Sequence, residues 1–474
     1  MLNEKCAVFG IYAPGEDVAR YSYYALAALQ HRGQESSGIV VTDGTEFQSH
    51  IAPGLVAQVY DEDDLNALKG FAAIGHNRYS TSGGADHHHA QPVLRSDDVL
   101  ALAHNGNLPS TRALEQFLKK HQIYKAGSND SEMMTDAIRY WRYQGLSLVE
   151  AIKRTWSLFT GAFSCVVLGQ EKLLAFRDAC GIRPLAIGRL KKGGYVIASE
   201  SCAFDIIGAE YERDVRPGEL IEIHDGKLRS YQIAKGAERL EVFEYIYFAR
   251  PDSWLQGQRV NEVRRRLGQQ LALEVPAEAD VVIPVPDSSI PAALGYAAEA
   301  GLAFDHGLIK NRYIHRTFIS PGQALRQRQV QMKLNPLKEV VRGKRIILID
   351  DSIVRGTTTR QIITMLRRAG ARTIHVRVSS PPVLYPDFYG IDTPDQTQLI
   401  AARLKDTKAI AQEIGADSLG YLSLEGMVKA IDRTAQSLCL ACFNGEYPVD
   451  LYEKTRLVRK IRFRDGFSSG KDIG

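Results

Sequence analysis

The chain has 474 residues, enough for two or three domains. Its apolar content of 45% and charged content of 24% are those of a water-soluble globular protein, and a net charge of +4 over this length gives no basis for nucleic-acid binding. No stretch approaches the roughly 18 uninterrupted apolar residues of a membrane span. The MLNEKCAVFG start lacks a signal-peptide core, and six cysteines are too few for a disulfide framework, so a reducing cytoplasm is the expected setting.

Before residue 235, short apolar runs alternate with glycine-rich turns: CAVFGIYAPG, ESSGIVVTDG, GAFSCVVLG, PLAIGRL, GGYVIASES and GELIEIHDG. That spacing predicts a many-stranded, mostly antiparallel sheet system, with helices around 17–30, 111–120, 131–143 and 146–159. Cys6 opens the first run. A cysteine starting a strand is ordinarily a small hydrophobe. Removal of the five-residue leader before it, however, would give Cys6 a free α-amino group beside its own thiol. An α-amine has a pKa of about 8 and can serve as general base for that thiol.

Four further strings follow: Gln30-His31-Arg32-Gly33-Gln34-Glu35, Gly75-His76-Asn77-Arg78-Tyr79-Ser80-Thr81, His104-Asn105-Gly106-Asn107 and Ser128-Asn129-Asp130-Ser131-Glu132. Each has a plain structural reading. Asn105-Gly106 is also a tight-turn dipeptide, Asp130 a helix cap, and Arg78 a surface charge. Together with Cys6, in this order, the strings resemble the class II glutamine amidotransferases, from Cys6 to about 235. The resemblance implies an N-terminal-nucleophile hydrolase αββα sandwich. It also implies a nucleophile at Cys6 and an oxyanion hole of the Asn105 side chain and the Gly106 N–H. Arg78 would hold the glutamine α-carboxylate and Asp130 its α-ammonium, and His76 and Thr81 would complete the glutamine site. The His87-His88-His89 run lacks a metal-ligand pattern and is read as a loop.

The texture changes near 232–242, the expected joint, and strands then alternate with helices: a helix at 261–274, DVVIPVP, a helix at 288–300, RIILID, a helix at 358–369, and TIHVRVSS. This rhythm predicts a parallel α/β sheet. DVVIPVP runs into Asp287-Ser288-Ser289, either a helix N-cap cluster or a pyrophosphate loop. The polar, cation-rich stretch 310–335, beginning at Lys310, is an exposed loop or a lid over a charged substrate. Residues 346–358, IILIDDSIVRGTT, place two carboxylates at a strand end and a small turn before a helix. Asp350 and Asp351 suit ribose hydroxyls or, with Ser288, a hydrated Mg²⁺. Arg355, Gly356, Thr357, Thr358 and Thr359 suit a phosphate at the helix start. This string resembles the phosphoribosyl pyrophosphate (PRPP) motif of the type I phosphoribosyltransferases.

A glutaminase (6–235) followed by a PRPP domain with a C-terminal helical extension (236–474) resembles the glutamine PRPP amidotransferases. FEYIYFARPDS (243–253) and SLEGMVKAI (423–431) also belong to that resemblance. It implies ammonia transfer from glutamine to C1 of PRPP, giving 5-phosphoribosylamine, glutamate and pyrophosphate, the first step of purine synthesis. It also implies a homo-oligomer, typically a tetramer, and inhibition by purine nucleotides. Part of this family carries a [4Fe–4S] cluster on four cysteines. Here Cys439 and Cys442 stand at two of those positions, and Glu241 (or Val242) and Asp387 at the others. Two carboxylates are poor ligands for such a cluster, so none is expected; zinc and simple packing of the thiols are the alternatives. The rival functions are another class II amidotransferase, which would lack the 346–358 string, and a PRPP-binding regulator, which would need a DNA-binding element that the sequence does not display.

Overall fold

A computed structural model of the chain describes residues 3–4, 6–79, 89–95, 100–311, 333–393 and 395–464. In the N-terminal half, two antiparallel sheets lie face to face. The first has seven strands in the order Ala209–Asp214, Ala186–Leu190, Tyr195–Ala198, Cys6–Tyr12, Ala72–Arg78, Ser36–Thr42 and Phe47–Pro53. The second has six, in the order Lys227–Gln232, Glu219–His224, Lys172–Arg177, Ala162–Leu168, Ala101–Asn107 and Val93–Leu94.

Alternation along each strand builds the layers. Val8 and Tyr12 point between the sheets, against Ala103, Val166 and Ile221. Phe9 and Ile11 point outward, into a core with the helices Val18–Ala28 and Cys202–Ile207. Arg112–Lys120, Asp130–Tyr143 and Leu148–Thr155 cover the second sheet in the same way. Because both faces are covered, Cys6–Tyr12 is buried at every position and reads in sequence as a continuous apolar run. The result is the expected αββα sandwich.

The second half is built on a four-stranded parallel sheet in the order Val281–Pro284, Arg345–Asp350, Thr373–Val378 and Ser418–Tyr421. Ile347 and Ile349 face Val260–Glu274, Ile290–Ala300 and Leu424–Ile431, whereas Ile346 and Leu348 face Thr357–Arg368 and Thr407–Ile414. The helices 260–274 and 290–300 touch closely; a Cβ on Gly268 would lie 1.8 Å from the Ala292 carbonyl oxygen.

Two connections were not anticipated. After the last sandwich strand, Leu240–Glu241 pairs in parallel with Leu438–Cys439, so the C-terminal segment returns to the joint and is not purely helical. In addition, Asn3–Glu4 pairs with Ile391–Asp392. Most of the expected lid lies outside the described residues. Its two ends are held together by antiparallel pairing of Leu308–Lys310 with Leu334–Pro336.

Candidate functional site

Cys6 is the first residue of its strand, and in the register with Ala72–Arg78 it lies directly opposite Arg78. The sandwich thus brings together two of the expected glutamine residues that are 72 positions apart. Ser199 ties this strand to the second sheet. Its hydroxyl accepts from the Val8 N–H at 2.9 Å, and the Asn105 amide lies 3.5 Å from it, at the outer limit of a hydrogen bond. The Asn105 Oδ1 is buried without a hydrogen-bond partner among the described residues. Gly106 must be glycine. Its φ is +150°, and an added Cβ would lie 2.1 Å from the Ala162 carbonyl oxygen on the neighbouring strand.

Asp130 is not the cap of its helix. Asn129 and Glu132 form that cap, exchanging backbone and side-chain bonds of 2.8 and 2.9 Å. The Asp130 carboxylate accepts from the Ser131 N–H and lies 3.9 Å from the His104 ring, keeping some exposure. His76 is fully buried and its ring meets the His104 carbonyl; burial pushes its pKa down to about 3, so it is neutral and supports the Asn105 strand from behind. Thr81 lies outside the described residues, as do His87 and His88. His89 pairs with Glu132 at 3.4 Å.

Sequence reading did not find the polar network that joins the two halves. Arg32 is fully buried between Glu200 and Glu244, reaching Glu244 at 2.6 Å, and Arg183 reaches Glu244 at 3.1 Å. Glu200 also accepts from His31, the Arg250 N–H and the Ser253 hydroxyl. Burial alone would raise the Glu200 pKa, but Arg32 and His31 overcome it and hold this carboxylate well below its usual range. The strings QHRGQE and FEYIYFARPDS contain several of these residues, yet nothing in them signals a pairing across 212 positions.

At the second site, Asp350 ends its strand and Asp351 begins the turn, both nearly buried. Burial and their mutual repulsion raise the pKa of Asp350. Burial also raises that of Asp351, against the Ser288 hydroxyl that donates to it. Two buried carboxylates side by side fit a small hard cation, which takes one or two carboxylates plus waters and substrate oxygens. Gly356, at φ +76°, opens the helix Thr357–Arg368, and an added Cβ there would lie 2.5 Å from Ile400. The first intrahelical bond is Arg360 N–H to the Gly356 carbonyl, so the N–H groups of 357–359 have no acceptor inside the helix. The three threonines divide: Thr357 is exposed, Thr358 half-buried, and Thr359 turns inward to Asp350 at 3.5 Å. Arg355 is exposed beside Gln398, and Lys310 pairs with Asp287 at 2.7 Å. Arg264, also unanticipated, is buried beneath this site. Burial pushes its pKa down to about 10 against the pull of Asp351.

Glu241 lies opposite Cys439 in register and its carboxyl shares the surroundings of Asp387, Cys439 and Cys442, while the Val242 N–H donates to the Cys439 carbonyl at 3.3 Å. Burial and Asp387 raise the Glu241 pKa; burial and Glu241 raise those of both thiols. Two thiols and two carboxyl groups are a poor ligand set for an iron–sulfur cluster, whose ligands are normally thiolates. No group of three or more potential His, Cys, Asp or Glu metal ligands converges among the described residues.

Residues 76–205 match the model of the glutamine amidotransferase domain, and 252–380 that of the phosphoribosyl transferase domain. The chain is 49% identical to the amidophosphoribosyltransferase of Synechococcus elongatus over 96% of its own length and 93% of that protein, and 46% identical to that of Bacillus subtilis over 96% of each. The structure of the B. subtilis glutamine PRPP amidotransferase, complexed with ADP and GMP, superposes with a TM-score of 0.88 at 45% identity, covering 95% of this chain and 99% of that one. A second structure, of the allosteric regulatory enzyme of purine biosynthesis, gives 0.89 over 95% and 97%. With both domain families matched and relatives this similar over nearly the whole length, the chain belongs to the amidophosphoribosyltransferase family and is a glutamine-dependent enzyme of it.

Proposed function

We propose that the chain releases ammonia from glutamine at Cys6 and delivers it to C1 of PRPP beside Asp350 and Asp351. The observation that carries this is Cys6 opposite Arg78, with Asn105 and Gly106 on the facing sheet. Once residues 1–5 are removed, the α-amine of Cys6 takes the proton of its own thiol, and Sγ attacks the glutamine carboxamide. Arg78 and Asp130 hold the α-carboxylate and α-ammonium. The Asn105 Nδ2 and the Gly106 N–H stabilise the oxyanion, and ammonia leaves with the proton returned by the amine. Water then cleaves the thioester to give glutamate. Ammonia passes inside the protein to the second site, and its attack on C1 expels pyrophosphate.

At that second site, the free N–H groups of 357–359, with Thr357 and Thr358, bind the 5-phosphate. Asp350 and Asp351 hold the ribose hydroxyls. Ser288, Lys310 and the 310–335 lid take the pyrophosphate, while Thr359 lies against Asp350. Mg²⁺ held by Asp350, Asp351 and Ser288 would neutralise pyrophosphate charge. No iron–sulfur cluster is expected at Glu241, Asp387, Cys439 and Cys442. Purine nucleotide inhibition, a homotetramer and a cytoplasmic setting complete the proposal.

The decisive experiment is Cys6→Ala. Glutamine-dependent formation of phosphoribosylamine should vanish while ammonium-dependent formation persists; equal loss of both would refute the two-site reading. Intact mass should place the mature start at Cys6. Stoichiometric iron and sulfide after anaerobic purification would refute the cluster-free assignment.

A further inference from the structure

The oxyanion-hole strand does not end inside its own domain. Its last residue, Asn107, donates from Nδ2 to the Phe388 carbonyl at 2.7 Å, and Phe388 belongs to the C-terminal half. Two residues on, Gly390 lies against Gly106. At φ +127°, its added Cβ would sit 3.5 Å from both Cα and the carbonyl carbon of Gly106. The backbone of 388–390 therefore forms the rear wall of the strand that carries Asn105 and Gly106. Ala162, opposite Asn107 in register, packs with Tyr389 and Cys439 in one small core.

One side chain folds that wall. Asp387 is buried, and its Oδ2 accepts from the Tyr389 N–H at 2.7 Å and the Ile391 N–H at 2.9 Å. Its own N–H donates to the Thr393 hydroxyl at 2.6 Å. Tyr389 is pinned further on, donating to the Val449 carbonyl. Without the carboxylate, two buried N–H groups would lose their acceptor and the tight 387–391 turn would lose its centre.

We propose that Asp387 is a positioning residue for the glutaminase oxyanion hole, acting through the 388–390 backbone that it holds against Asn107 and Gly106. The proposal rests on the assignment of Asn105 and Gly106 as that hole. Asp387 touches neither glutamine nor PRPP; it sets where the Gly106 N–H stands when negative charge develops on the substrate. A misplacement of about 1 Å at such a donor costs up to about 100-fold in rate. The donor acts on the transition state, so the loss falls on kcat and not on KM.

The test is steady-state kinetics of the full-length enzyme with glutamine and with ammonium as alternative nitrogen sources. Asp387→Ala should lower kcat for glutamine by about 10-fold or more, with glutamine KM within about twofold and ammonium-dependent turnover unchanged. Asp387→Asn retains one carbonyl oxygen able to accept both N–H groups and should recover most of the loss. Asn107→Ala, which cuts the same link from the other side, should reproduce the kcat-selective loss, and the double variant should lose no more than the worse single one. Equal loss with both nitrogen sources, a KM effect alone, or no effect would overturn the proposal. Should Asp387→Ala not fold, an unchanged glutamine kcat in Asn107→Ala would overturn it instead. Cys6→Ala separates the two levels: if it keeps glutamine turnover, the glutaminase assignment itself fails, whatever Asp387 does.

Discussion

Replacing Gly106 by alanine gives the sharpest test of the glutaminase geometry. The added methyl would sit 2.1 Å from the Ala162 carbonyl oxygen and 2.9 Å from the His104 ring nitrogen. The first neighbour is backbone in the paired strand Ala162–Leu168, so it cannot swing away as a side chain would. Alanine at φ +150° adds about 1–3 kcal/mol of backbone strain. The cheapest relief is for strand 101–107 to move from its partner, which carries the Gly106 N–H away from the oxyanion. Loss of one such donor costs about 2.7–4 kcal/mol, or roughly 100- to 1,000-fold in kcat. The assay is phosphoribosylamine formation with glutamine and, in parallel, with ammonium. Glutamine kcat should fall by that factor while ammonium turnover stays near wild type. A Gly106→Ala enzyme within about threefold of wild type with glutamine would refute the claim that this N–H stabilises the oxyanion.

Arg32→Met should lower the melting midpoint by roughly 5–10 °C, because it leaves Glu200 and Glu244 buried with too little positive charge, a loss of about 3–5 kcal/mol; a shift under 2 °C in scanning calorimetry would contradict the network. Asp351→Asn removes a charged acceptor from the ribose and cation site, so KM for PRPP should rise about 10-fold or more and turnover with glutamine and ammonium should fall together; an unchanged PRPP KM would remove Asp351 from that site. The Glu241 pKa is raised above its ordinary 4.5 by burial and by Asp387. Its stabilising contribution is therefore complete below that ordinary value and is lost as pH climbs through the raised one. Glu241→Gln mimics the protonated form, so the melting midpoint between about pH 5 and about pH 9 should fall less steeply than in wild type; parallel curves would show that Glu241 is already ionised in the folded protein.

The sequence alone determined the order of the two halves and the strand and helix periods, and it pointed to most of the groups proposed for each site. These are local signals. Cys6–Tyr12 reads as buried strand because both its faces are covered, and Asp350–Asp351 declares itself because acids, glycine and threonines fall within thirteen residues. Helices expected at 261–274 and 358–369 form at 260–274 and 357–368 for the same reason. What only the tertiary structure decided are the relations between distant segments. It set Cys6 against Arg78, gave the cap of its helix to Asn129 and left Asp130 for another partner, turned Thr359 inward, and put the Glu241 carboxyl beside Cys439 and Asp387. It also closed Arg32 between two glutamates and laid the 388–390 backbone behind Asn107. Side-chain type and spacing specify a strand or a turn. Which buried charge meets which, hundreds of residues away, is fixed only when the layers pack and every desolvated polar group must find its partner.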